Sequence, residues 1–105
     1  MSYSDFRSKF SFLIKEAIQT NPELHHSLED LASELEDIRQ TGNPLNLLLK
    51  NFATSNHSNL SEELYNGFIS LSFDIESLFD GGATPKQLSV IMDGDLGREI
   101  KELLS

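Results

Sequence analysis

Between Asn59 and Gly82, Leu64, Phe68, Leu71, Ile75 and Leu78 recur at alternating steps of four and three. That spacing is one face of an α-helix. Tyr65, Ile69, Ser72 and Phe79 widen the face beyond a single stripe. A surface so broad has to be covered from more than one side, so a helix over about residues 61–80 is expected at the centre of a small bundle. Ser61 is a natural N-cap, Glu62 and Glu63 suit the positive end of the helix dipole, and Gly81 suits a left-handed stop.

The rest of the chain repeats this grammar. Ser4 is expected to cap a first helix reaching about Thr20, with Phe6, Phe10, Leu13, Ala17 and either Ile14 or Ile18 turned inward. Asn21-Pro22 stops it and starts a second, on which Leu24, Leu28, Leu31, Leu35 and Ile38 form a narrow stripe. One face of that helix should pack and the remainder meet water. Over roughly nineteen residues it would be close to 30 Å long. Thr41-Gly42 ends it and Asn43-Pro44 repeats the start signal.

A shorter helix with Leu45, Leu47, Leu48, Leu49 and Phe52 is apolar nearly all round and should be largely buried. Ala53 to Asn59 is polar and reads as a loop. Thr84 and Gln87 bracket Pro85 in a capping-box pattern ahead of Leu88, Val90, Ile91 and Met92. Leu96, Ile100, Leu103 and Leu104 mark a last helix, with Asp95 its expected cap. All three prolines follow a capping residue, and no stretch alternates like a strand. The fold expected is all-α, one domain over residues 1–105, a bundle of about five or six helices.

Composition narrows the function. Seventeen acidic residues face eight basic ones, for a formal net charge of -9. Direct binding to nucleic acid or to an anionic membrane surface is therefore not expected. The bases are also segregated. None lies between Glu16 and Ile38 or between Asn51 and Pro85, and both windows are rich in acids. A single-sign field of this kind either solubilises the protein or attracts a basic partner. There is no cysteine, so neither a disulfide framework nor a thiolate metal site is expected. The N-terminal residues lack the pattern of a signal peptide and no apolar run matches a bilayer, which fits a cytoplasmic protein.

Chemistry-bearing motifs are absent. His25 and His26 each have a carboxylate four residues on, Glu29 and Asp30, but point away from each other on a helix. Asp93-Gly94-Asp95 opens like a calcium loop, yet the twelfth position is Leu104 where a bidentate Glu is needed. Ser77 in Glu76-Ser77-Leu78 closes a helix, whereas the prosthetic-group serine of acyl carrier proteins opens one. Gly81-Gly82 follows no strand and precedes no Lys-Ser/Thr. No catalytic residue, metal or cofactor is expected, and the protein is not expected to be an enzyme.

The acids of the second helix remain. Glu29, Ser33 and Glu36 share one flank; Asp30, Glu34 and Asp37 share the other. Like charges at these steps cost a few tenths of a kcal/mol per pair. With only Arg39 near, a cationic partner would relieve them. Glu29, Asp30, Glu34 and Asp37 are the candidate partner-binding charges, with Tyr65 a candidate aromatic anchor.

The runs Arg39 to Leu49, Phe68 to Phe79 and Ile91 to Gly94 resemble small helical bacterial immunity proteins of contact-dependent growth inhibition and similar toxin–immunity pairs. In character the chain is also similar to colicin nuclease immunity proteins, although Tyr65 is followed by Asn66 where those carry a tyrosine pair. The resemblance implies a toxin inhibitor, monomeric when free, that binds a cognate basic toxin domain and occludes its active site. Two other classes fit the charge: an acidic adaptor or nucleic-acid mimic that inhibits a host DNA-binding protein, and a secretion chaperone.

Overall fold

Ser2, rather than Ser4, opens the first helix. The structure is a computed structural model and describes residues 2–41 and 44–105. Ser2 is extended and its hydroxyl accepts from the Asp5 N–H at 3.1 Å, so α1 runs Tyr3–Thr20, starting two residues earlier than the expected cap allows. Phe6, Phe10, Leu13, Ile14 and Ala17 are buried, which decides for Ile14 over Ile18. Asn21 then accepts from the Glu23 N–H, and Pro22 begins a tight turn, Pro22–Leu24, leading into α2, His25–Glu36.

The stripe Leu24, Leu28, Leu31, Leu35 and Ile38 is buried throughout. The rod that carries it is not continuous. Asp37 leaves helical geometry at φ -101 and ψ 28, so α2 has 12 residues and a separate four-residue α3, Ile38–Thr41, follows. The apolar period survives a local break because only the stripe has to meet the core. The stop at Gly42 and the cap at Asn43 lie outside the described residues.

In α4, Leu45–Ser55, the residues Leu45, Leu48, Leu49, Phe52 and Ala53 are buried, but Leu47 is 41% exposed. Cover therefore comes from one side more than from all round. The segment expected as a loop is mostly helical: Ala53 to Ser55 finish α4, and His57–Asn59 form a further tight turn. Its polar side chains serve the helix end. The Asn56 amide donates to the Phe52 carbonyl at 2.8 Å, Thr54 donates to the Lys50 carbonyl, and the Asn59 carbonyl accepts from Asn21. Low hydrophobicity here reports capping, not absence of structure.

Ser61 caps α5, Glu62–Ser77, by accepting from the Leu64 N–H. A wide turn over Leu78–Gly82 then ends it, with Gly81 at φ 114 as a left-handed stop. Thr84 and Gln87 exchange reciprocal hydrogen bonds at the start of α6, Pro85–Met92, where only Ile91 of the apolar set is buried. The last helix, α7, Asp95–Leu104, is entered through Gly94 at φ 90. Asp95 is thus not its cap; its carboxylate is taken by Arg7 of α1.

Among the described residues every regular element is helical and none is a strand. The bundle is all-α, as expected. Helix α5 packs on α4 and α1, α2 packs on α7 and α4, and α1 reaches across to α7. A single apolar cluster joins all of them.

One polar junction ties α1 to α7. Arg7 donates to Asp95, to Glu99 Oε1 at 2.7 Å and to the Tyr3 hydroxyl at 3.1 Å. Burial works against the guanidinium charge, but hydrogen bonds to Glu99 and Tyr3 and the charges of Glu99 and Asp95 prevail, so its pKa lies above the ordinary arginine value. A raised pKa gives stability that is complete below the unfolded value and lost only in stronger alkali. The pair therefore adds no pH dependence near neutrality through Arg7 itself. Arg7→Ala should strand Asp95 and Glu99 together and cost about 2 kcal/mol, read as a lowered urea midpoint. An unchanged midpoint would mean the junction contributes nothing.

Candidate acidic interface

The helical period splits the α2 acids between two flanks, and the bundle gives those flanks different neighbours. Helix α7 runs along the first. Glu36 Oε2 meets Lys101 Nζ at 2.7 Å, and Glu29 Oε1 meets His25 Nε2 at 2.7 Å beside the same lysine's hollow. Glu29 thus lies close to a cation that sequence distance hid, and its flank is partly neutralised within the chain.

The second flank faces α4. Asp30 and Glu34 line a groove of about 240 Å³ with Leu31, Asn51, Phe52 and Asn56, and among the described residues no Lys or Arg lines it. Asp30 is 65% exposed, and among the described residues its side-chain neighbour in ion-pair range is the His26 imidazole, 3.6 Å away. Glu34 is exposed and makes no salt bridge among the described residues. The carboxylates here keep their field toward solvent.

Asp37 belongs to neither group. The break that separates α2 from α3 sets it beside Glu36, Arg39, Met92 and Asp93, and Arg39 is held by Asp93 at 3.0 Å. The four candidate acids therefore occupy three neighbouring surfaces, of which only the pair Asp30 and Glu34 shares one. Tyr65 joins none of them. It is half-buried at the core edge, its ring stacked on His57 with centroids 3.8 Å apart and 15° between planes. Contacts of this kind position the His57–Asn59 turn on α5.

The two motifs with metal-like spacing separate in space. Asp93 pairs with Arg39 and Asp95 with Arg7, while His25 and His26 pair with Glu29 and Asp30. Among the described residues no three His, Cys, Asp or Glu side chains converge on one point. Nor is any helix there long and apolar enough to cross a membrane.

One feature lies beyond what periodicity shows. Ile38, Pro44, Leu45, Ile75, Phe79 and Met92 enclose an apolar hollow of about 620 Å³, with Arg39, Asn46 and Glu76 at its edge. Phe79 was expected to widen the covered face of α5, yet it is 42% exposed, because the wide turn at Leu78–Gly82 carries it off the core. Phe12 and Phe73 are also exposed, at 60% and 62%, on the outer sides of α1 and α5. Compared with protein-family models, with curated proteins and with solved structures, the chain finds no match in any of the three.

Proposed function

We propose that this chain is an immunity-type inhibitor that binds a basic toxin domain, a nuclease above all, and occludes its active site. What supports the reading most is the α2–α4 groove: Asp30 and Glu34 line it without a compensating lysine or arginine, in a chain of net charge -9. A nuclease holds a polyanion with cationic groups, and carboxylates on a rigid helix offer those groups an alternative anion. Opposed fields speed encounter, and apolar contact slows release. The inhibitor itself makes and breaks no bond in this account. It acts by filling space where substrate would lie.

The test first asks whether the reading frame immediately upstream encodes a toxin domain, and takes that domain as the partner. Asp30→Asn with Glu34→Gln should lower the association rate at low salt about tenfold and flatten its salt dependence. Glu29→Gln should do less, since Lys101 already screens that flank. Stopped-flow association at two ionic strengths measures both. Equal rates for all variants would remove the electrostatic account, and growth unprotected by the wild-type chain would remove the immunity reading.

A further inference from the structure

The apolar hollow is open where its lip lies and closed where its floor lies. Ile38, Leu45 and Ile75 are 4%, 5% and 1% exposed and form the floor, while Phe79 and the half-buried Met92 form the lip. A volume of about 620 Å³ is within the range of small-molecule pockets and exceeds what one side chain fills. Two or three side chains on consecutive turns of a helix would occupy it.

The rim selects among occupants. Glu76 borders the hollow, hydrogen-bonded by Asn46 at 2.6 Å, and exposed Asp80 follows the lip residue Phe79. Asp37 and Asp93 stand beside Arg39 and Met92 on the adjoining surface. Among the described residues the one cation lining the hollow, Arg39, is already held by Asp93. Four carboxylates against one paired arginine repel a fatty-acid carboxylate, which would have to displace Asp93. They equally disfavour a second copy of a chain carrying net charge -9. An occupant with apolar side chains in line and cations on either side meets no such penalty.

We propose that the hollow between α3, α4, the end of α5 and Met92 of α6 receives a basic amphipathic helix of the partner protein. Its apolar side chains rest on Ile38, Leu45 and Ile75, and its Lys or Arg side chains meet Asp37, Glu76, Asp80 and Asp93. This inference rests on the inhibitor reading and deepens it: the α2–α4 groove attracts the partner and the hollow anchors it.

The probe is an amphipathic Leu/Lys peptide about four helical turns long, titrated into methyl-labelled protein and followed by NMR. Expected are shifts at the Ile38, Ile75 and Met92 methyls, and binding of a Leu/Glu peptide of equal length weaker by about tenfold or more. Phe79→Ser with Met92→Gln should weaken the Leu/Lys peptide about tenfold without altering the circular dichroism, because the lip is not part of the floor. Shifts centred on α1 and the outer side of α5, equal affinity for the Leu/Glu peptide, or indifference to the double variant would each overturn the proposal. The two readings fail separately. A peptide seated in the hollow with no toxin neutralised removes the immunity reading alone. Neutralisation untouched by Phe79→Ser with Met92→Gln removes the hollow alone.

Discussion

Gly97→Ala should cost about 3 kcal/mol of stability, although the same change on an exposed helix would gain about 1 kcal/mol. The reversal comes from how closely α7 lies on α2. A Cβ at Gly97 would sit 2.3 Å from the Ala32 carbonyl oxygen and 2.8 Å from the Glu36 nitrogen. Both are backbone atoms of a packed helix and neither can rotate away, so the two helices would have to separate. Separation loosens Ala32, Leu96 and Ile100, all buried at this contact, and lengthens the Lys101 to Glu36 bridge. Gly81→Ala is the control. It has φ 114 but nothing within 4 Å of the added Cβ, so only backbone strain of about 1–2 kcal/mol is expected. Urea unfolding of both variants measures the contrast. A Gly97→Ala protein as stable as the parent would mean that α2 and α7 do not approach as described.

That contact also shows why part of the fold was legible in sequence and part was not. The stripes Leu24 to Ile38 and Leu64 to Leu78 name their buried faces correctly, because large apolar residues at helical spacing have one economical arrangement. Asn21, Ser61 and Thr84 likewise mark helix starts through side chains whose hydrogen bonds are local. The second packed side of α2 was hidden. It is built from Ala32 and Gly97, whose value lies in being small, and hydrophobic periodicity is blind to smallness. The Asp37 break carries neither Gly nor Pro, so no local rule announces it.

The candidate site divides along the same line. That α2 has two acidic flanks follows from the period of the helix. Which flank keeps its charge depends on Lys101, far along the chain, and on whether α4 or α7 lies alongside. The hollow depends on three helices and a wide turn meeting, and on Phe79 being carried outward by that turn. Residues that individually look like core become a recess through placement alone.

Phe68→Ala is expected to cost about 4 kcal/mol, the largest loss from any single truncation at the α4–α5 contact. Phe68 is fully buried and meets Phe52 edge to face, centroids 5.1 Å apart and planes at 64°. Truncation removes a ring's worth of buried surface and leaves a space that flanking Leu64 and Leu71 close only in part. With total stability of about 5–15 kcal/mol usual for a domain, the variant should approach its unfolding midpoint in mild urea. Phe68→Leu retains most of the volume and should cost about 1–2 kcal/mol. A cycle with Phe52→Ala should return a coupling near 1 kcal/mol, the share owed to ring geometry rather than to area. The consequence reaches the hollow, because Leu45 of α4 and Ile75 of α5 form its floor and lie on the helices that Phe52 and Phe68 hold together. Leu/Lys peptide affinity should therefore fall with Phe68→Ala even where the protein remains folded, and recover with Phe68→Leu. Binding that ignores both changes would show that the floor does not depend on the α4–α5 contact.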